Sequence, residues 1–209
     1  DVHESLHARD GAQHARDTAE TRRRDAGVVR VAGQAHFVFR RDRHDALDRA
    51  PDAAAARALP GTEDCKIPFW APDSRQIAFF ADGSLKRMAV TDDRPQLICP
   101  AAAPRGGAWS PDNIIVFQPA ASGPLMQVPA SGGTPVPATT LDETRGETAH
   151  RFPQFLPDGK HFLYVALPGL NNLNDTRVGT LDAVPGPVVV SSPNRASYGN
   201  GYLLFNQNE

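Results

Sequence analysis

The histidine-rich N-terminus contains a sequence pattern that could bind zinc. Residues 3–7 read H-E-S-L-H, which fits the H-E-x-x-H pattern in which two histidines bind zinc and the glutamate acts as a base. The extended form of this pattern has a glycine three residues and a third histidine six residues later. Here Gly11 and His14 follow His7 after four and seven residues. Because the flanking residues also offer no apolar helix face, we predict no metal site and no zinc hydrolysis.

Three aspartates are metal ligands by residue type, but their positions indicate a different role. Each follows a proline: Pro72-Asp73, Pro111-Asp112 and Pro157-Asp158. Proline fixes the backbone φ angle at the start of a turn, and an aspartate carboxylate can accept hydrogen bonds from nearby amides. We therefore interpret these aspartates as turn residues.

A charged segment from Thr140 to His150 has the composition of a contact surface. Its polar groups, together with the next residue, are Arg145, Glu147, His150 and Arg151. We predict that these four residues form a binding surface, because loops between strands commonly carry function in such folds. The alternative is that Glu147 and Arg151 form a local ion pair that braces the loop.

Sequence patterns typical of catalysis are missing from this chain. It has no G-x-S-x-G, Walker, C-x-x-C or Rossmann pattern. We therefore predict no catalytic residues and no cofactor.

The three Pro-Asp pairs belong to a longer repeat. An aromatic residue stands two positions before each proline (Trp70, Trp109 and Phe155), and an apolar run follows each turn. The prolines are 39 and 46 residues apart. A repeat of this length indicates four-stranded units arranged as propeller blades.

Each unit continues with two further predicted strands. The third strands are expected at 85–90, 125–129 and 177–182, and the outer strands at 96–99, 134–137 and 187–190. Partial units are expected at 36–39 with 56–60, and at 198–205. The predicted fold class is therefore all-β, a partial β-propeller of three to four antiparallel blades. We expect a poorly structured segment at 1–33, a blade remnant at 34–64, blades at 65–103, 104–144 and 145–193, and an incomplete blade at 194–209.

These motifs resemble the WD-like repeats of bacterial TolB-type propellers. The stretch His150-Arg151-Phe152-Pro153-Gln154-Phe155-Leu156-Pro157-Asp158-Gly159 is most similar to propellers fused to bacterial serine/threonine kinases. The resemblance covers about residues 52–205. It implies a binding scaffold, either a periplasmic partner of envelope complexes or a sensory domain behind a kinase, and hence a periplasmic or extracytoplasmic location.

The first fifty residues differ in composition from the rest. They hold five of the seven histidines and many arginines, aspartates and alanines. Two interpretations remain open: a disordered or loosely helical arm, and translation of GC-rich DNA in a shifted reading frame.

Charge and hydropathy narrow the classes of partner. The net charge is −2, which gives no electrostatic case for nucleic acid, and no apolar stretch reaches the 18 or so residues that a membrane span needs. We expect a protein or small ligand to bind at a propeller face. Cys65 and Cys99 could form a disulfide or remain free thiols.

Two functional hypotheses follow. In the first, the chain is a non-enzymatic binding propeller, expected to be a fragment of a longer protein. In the second, it is the propeller of a prolyl oligopeptidase-like hydrolase whose catalytic domain lies elsewhere.

Overall fold

The structure, a computed structural model, describes part of the 209-residue chain. It gives the backbone of residues 28–30, 36–39, 46–49, 57–168 and 173–206, and the side chains of 59–168 and 173–206. The H-E-x-x-H pattern lies outside the described residues. So does most of the predicted segment 1–33, of which only Val28–Arg30 is described. The chain divides into two compact units, Asp1–Asp64 and Cys65–Glu209.

The first unit contains one antiparallel sheet, sheet A. Its strands in order are β1 (Val28–Arg30), β2 (His36–Phe39), β3 (Ala46–Arg49) and β4 (Arg57–Ala58). Strand β2 coincides with the predicted strand at 36–39, and β4 lies within the predicted outer strand at 56–60.

The second unit contains three four-stranded antiparallel sheets and a hairpin. Sheet B comprises β5 (Lys66–Trp70), β6 (Gln76–Ala81), β7 (Ser84–Ala89) and β8 (Gln96–Pro100). Sheet C comprises β9 (Gly107–Trp109), β10 (Ile114–Phe117), β11 (Met126–Pro129) and β12 (Val136–Pro137). After a 3-10 turn at Glu143–Arg145, sheet D comprises β13 (Ala149–Phe155), β14 (Phe162–Leu167), β15 (Asn174–Gly179) and β16 (Val188–Ser192). The hairpin pairs β17 (Ser197–Gly199) with β18 (Tyr202–Leu204).

The predicted fold class is confirmed: the chain is all-β and has the strand plan of a partial propeller. One strand differs clearly from its prediction. Strand β15 begins at Asn174, three residues before the predicted start at Arg177, because Asp175 and Thr176 are buried and pair with β14 despite their polarity.

The Pro-Asp turns share one hydrogen-bond pattern. In each, the amide of the residue after the aspartate donates to the carbonyl of the residue before the proline, at 2.9 to 3.1 Å. That donating residue is left-handed in all three turns, with φ of 57° at Ser74, 59° at Asn113 and 68° at Gly159. The small polar or glycine residue in the repeat is therefore explained by the backbone conformation.

The predicted carboxylate role holds for two of the three aspartates. Asp73 Oδ1 accepts from the Arg75 amide at 2.9 Å, and Asp158 Oδ1 accepts from the amides of Lys160 and His161, each at 3.0 Å. In the middle turn the hydroxyl of Ser110 takes this role, accepting from the Ile114 amide at 3.1 Å.

The aromatic residues before the turns are buried to different degrees. Trp70 and Trp109 are buried. Phe155 is only half-buried, so the third copy of the repeat departs from the first two. Its ring packs edge-on against Phe162, with centroids 5.6 Å apart, at the margin of the core cluster between sheets C and D.

The core lies between neighbouring sheets. One cluster joins sheets B and C through residues such as Phe80, Leu85, Ile115 and Phe117. A second joins sheets C and D through residues such as Val116, Leu125, Phe162 and Tyr164. Sheet C is thus buried on one face by sheet B and on the other by sheet D.

The first strands of the sheets meet along contacts that we call seams. At the β5–β9 seam the Phe69 ring lies against Gly107, where an added Cβ would come within 2.3 Å of the ring. At the β13–β17 seam the Gln154 amide bonds the backbone of Tyr198 twice. Gln154 Nε2 donates to the Tyr198 carbonyl at 2.9 Å, and the Tyr198 amide donates to Gln154 Oε1 at 3.0 Å.

Both cysteines are buried, and they do not form a disulfide. Cys65 directly precedes β5, whereas Cys99 lies in β8, across β6 and β7. With strands about 4.8 Å apart, this separation exceeds the roughly 7 Å Cα limit for a disulfide. Burial raises the pKa of the Cys99 thiol to about 11, so this thiol is unreactive at neutral pH.

Candidate functional site

The first strands of sheets B, C and D share an unusual backbone position. Five residues before each turn proline the backbone is left-handed, with φ of 47° at Ile67, 118° at Gly106 and 53° at Phe152. In β5 and β13 this position lies within an irregularity of strand register. A positive φ therefore recurs at the same place in three units.

This conformation is costly for two of the three residues. A β-branched or bulky side chain at positive φ is uncommon, and strain of this kind costs on the order of 1–3 kcal/mol per residue. Ile67 and Phe152 also remain exposed, at 41% and 36%. Because their burial does not offset the strain, these positions are the kind that clusters at binding sites.

The strained residues line one cavity, which we call the inner cavity. Its volume is about 240 Å³. It is bounded by residues of β5, β9, β13 and β17 and the segment before β17: Ile67, Gly106, Gly107, Phe152, Pro153, Gln154, Arg195, Ala196 and Ser197. The Arg195 guanidinium lies over the Phe152 ring, 5.3 Å from its centroid. The cavity thus combines exposed apolar groups with a cation.

A second polar region, the junction network, braces the connection from sheet C to sheet D. Its residues are Asp142, Arg145, Glu147, His150, Asp175 and Arg177. Glu147 Oε1 lies 2.8 Å from an Arg177 guanidinium nitrogen, and both side chains are buried. Arg145 donates to Asp175 at 2.5 Å. Buried charges in this region are therefore paired.

His150 lies at the centre of this network and is fully buried. The Leu125 amide donates to Thr139 Oγ1 at 2.9 Å, so the threonine hydroxyl is free to donate to His150 Nδ1 at 2.7 Å. His150 Nε2 then carries the proton and donates to Glu147 Oε2 at 2.9 Å. Burial lowers the pKa of His150 below its ordinary value, against the opposing effect of Glu147. The histidine is thus held neutral.

The threonine–histidine–glutamate chain has the residue types of a catalytic relay. Thr139 is 1% exposed and His150 is 0% exposed. A substrate cannot reach the hydroxyl in this conformation, so the arrangement acts as a brace. In the described part of the chain, no three histidine, cysteine, aspartate or glutamate side chains are close enough together to hold a metal ion.

The four predicted binding residues separate into two groups. Arg145, Glu147 and His150 belong to the junction network, and Glu147 and His150 are buried there. The alternative interpretation, an ion pair between Glu147 and Arg151, is wrong in its cation, because Glu147 pairs with Arg177. Arg151 instead donates to the Ala121 carbonyl at 2.9 Å and directly precedes the cavity residue Phe152.

Sequence reasoning missed the cavity residues Ile67, Phe152 and Arg195. A signal was present, because Ile67-Pro68 and Phe152-Pro153 occupy the same place in two repeats. It resembled ordinary core spacing, in which a large apolar residue is expected to be buried.

Comparison with known proteins finds similarity in fold. No protein-family model matches the sequence, and no curated protein is similar to it. A solved structure described as a TolB from Agrobacterium tumefaciens is similar in fold, with a TM-score of 0.62 and 13% identity over 76% of this chain and 62% of that one. The chain thus spans less than two thirds of that protein's length.

Two enzymes share the fold as well. Hydrazine synthase from Kuenenia stuttgartiensis gives a TM-score of 0.58 with 14% identity, over 77% of this chain and 46% of that one. A prolyl endopeptidase gives 0.51 with 15% identity, over 90% of this chain and 34% of that one. Similarity at this level shows a β-propeller fold and leaves the activity open.

Proposed function

We propose that this chain is a non-enzymatic propeller scaffold that binds a protein segment at the inner cavity. The observation that carries the proposal is the pair of strained, exposed side chains, Ile67 and Phe152, which face one cavity from two repeats. Exposed apolar groups in a concave site are typical contacts for a partner side chain. Strain that is kept at equivalent positions supports a binding role for them.

The cavity's chemistry supports binding over catalysis. Among its lining residues there is no histidine, cysteine, aspartate or glutamate that could serve as a general base. Outside the cavity, among the side chains that the structure describes, His150 has an adjacent hydroxyl and carboxylate, and it is buried in the junction network.

The test is selection of a phage-displayed random peptide library on the full chain. We expect enriched peptides whose affinity falls by roughly tenfold or more in Phe152→Ala, since truncating a central aromatic contact commonly costs 2 kcal/mol or more. Leu97→Ala is the matched control, because Leu97 is 65% exposed on the outer strand β8.

Two outcomes would count against the proposal. One is selection that enriches no peptide above background. The other is an enriched peptide that tolerates Phe152→Ala and Ile67→Ala as well as it tolerates Leu97→Ala.

The second candidate function is the propeller of a prolyl oligopeptidase-like hydrolase. The fold of the prolyl endopeptidase favours it, since that structure covers 90% of this chain. A catalytic domain with a G-x-S-x-G sequence in the same open reading frame would establish this role, whereas a kinase domain would establish the sensory role. Whether the chain is a partner of envelope complexes or a sensory domain behind a kinase, we propose a periplasmic or otherwise extracytoplasmic location. No helix in the described part of the chain is long and apolar enough to cross a membrane.

A further inference from the structure

A basic residue stands at the same place at the start of successive units. Lys66, Arg105 and Arg151 each lie six residues before a turn proline. Each also directly precedes a left-handed residue that lines the inner cavity. Arg195 follows 44 residues after Arg151 and lines the cavity itself. We call these four residues the basic rim.

The rim cations are not neutralised by carboxylates. None of the four forms an ion pair with another described residue. Arg105 donates to the carbonyl of Pro104 at 2.8 Å, and Arg151 donates to that of Ala121 at 2.9 Å. Arg195 lies over the Phe152 ring. The stretches 65–70, 101–107, 149–156 and 193–199 contain no aspartate or glutamate. The rim is thus positive, although the chain has a net charge of −2.

The basic rim differs from the junction network in whether the chain itself supplies anionic partners for the cations. Arg145 and Arg177 each face a carboxylate of this chain. Arg151 is half-buried, and its guanidinium donates to the Ala121 carbonyl rather than to a carboxylate. Partly buried guanidinium groups favour an anionic partner, with which they form charge-assisted hydrogen bonds.

We propose that the basic rim selects an acidic protein segment, whose carboxylates contact the rim while an apolar side chain enters the inner cavity. This inference rests on the proposed function and adds the charge of the segment. Ile67 and Phe152 provide contacts for the apolar side chain. A polypeptide with acidic and apolar residues in alternation offers both chemistries within a few residues.

The test uses two fluorescein-labelled peptides and the full chain. One peptide repeats Phe-Glu-Gly and the other repeats Phe-Gln-Gly, so they differ only in charge. We expect the glutamate peptide to bind roughly tenfold more tightly, and this preference to shrink as salt is raised, because screening acts over about 10 Å at 0.1 M.

The double variant Lys66→Gln/Arg195→Gln removes the two exposed rim charges. Arg105 and Arg151 are left in place because they also hold loop carbonyls. We expect the variant to lose most of the preference for the glutamate peptide and to bind the glutamine peptide as before. Lys86→Gln/Arg94→Gln is the control, since it removes two cations away from the cavity and changes the net charge equally.

Each of the following outcomes would overturn the inference. Equal binding of the two peptides would show that the cavity binds segments without regard to charge and would leave the proposed function standing. Equal losses in the two double variants would show a general charge effect. Binding of neither peptide also overturns the inference, and the library selection then decides separately whether the cavity binds peptides. A single-stranded oligothymidylate that binds more tightly than the glutamate peptide, with loss in Lys66→Gln/Arg195→Gln, would assign the rim to nucleic acid.

Discussion

The junction network and the inner cavity share strand β13 and use charge in opposite ways. His150 belongs to the network, and Phe152, two residues later, belongs to the cavity. In the network the buried charges face opposite charges of the same chain. At the cavity, the rim cations form no ion pair with a described carboxylate, and apolar side chains are exposed on a strained backbone. A cluster of charged residues alone therefore does not indicate a binding site, and the combination of unpaired charge and backbone strain is our reason for proposing one at the cavity.

The largest expected effect comes from breaking the network. Arg177→Met leaves Glu147 buried without its cation, and breaking a buried pair in this way costs about 3–5 kcal/mol. Chemical denaturation should show this loss in the free energy of unfolding. The exposed Arg94→Met should change it by less than about 0.5 kcal/mol. A loss below about 1 kcal/mol in Arg177→Met would show that the network does not brace the junction.

A substitution in the wall of the inner cavity is expected to cost less stability. Gly107→Ala places a Cβ within 2.3 Å of the Phe69 ring, and overpacking of this kind costs about 1–3 kcal/mol. Gly199→Ala is the control, because its Cβ would meet only a Leu204 methyl group at 3.9 Å. Equal stability of the two variants would place Phe69 away from the seam.

The stability that the junction network contributes should also depend on pH. The pKa of His150 is lower in the folded state than its ordinary value of 6.5, so the unfolded state binds more protons as the pH falls through that value. Stability should therefore be full above 6.5 and decrease below it, by at most about 1.4 kcal/mol per pH unit. Denaturation between about pH 7 and pH 5 measures the slope. We expect His150→Gln to flatten the slope; a slope that survives this substitution would assign it to another group.

The smallest effect on stability should accompany a clear loss of binding. Ile67→Gly relieves a left-handed isoleucine, so stability should stay the same or rise by up to about 1 kcal/mol. The affinity for selected peptides should fall, because an exposed apolar contact is removed. Leu97→Gly should instead destabilise the chain by about 0.5–1 kcal/mol, as glycine does within a strand. Loss of stability in Ile67→Gly similar to that in Leu97→Gly would remove the argument from strain.

Local sequence rules explain the parts of the fold that were predicted correctly. The Pro-Asp turns, the aromatic residues before them and the apolar second strands are set by neighbouring residues, so their spacing could be read directly. The start of β15 could not, because Asp175 and Thr176 are polar and become compatible with burial only through Arg145 and the residues around it.

The candidate site could not be predicted from the sequence, because it is formed by contacts between distant parts of the chain. Glu147 and Arg151 are near in sequence, yet the cation that Glu147 contacts is Arg177, thirty residues later. The inner cavity likewise assembles from strands of four successive units, so its residues had no common local pattern beyond the Ile-Pro and Phe-Pro pairs.

The seams described above affect how such a chain can change by rearrangement of its repeats. At one seam the Phe69 ring packs against Gly107. At another the Gln154 side-chain amide pairs with the Tyr198 backbone as a neighbouring strand would, donating one hydrogen bond and accepting one. Phe69 and Gln154 stand at the same place in their repeats, three residues before the turn proline, yet they make different contacts with the unit beside them. The repeats are therefore alike in their strands but each is matched to its own neighbour, so their order along the chain carries information that duplication or shuffling would lose.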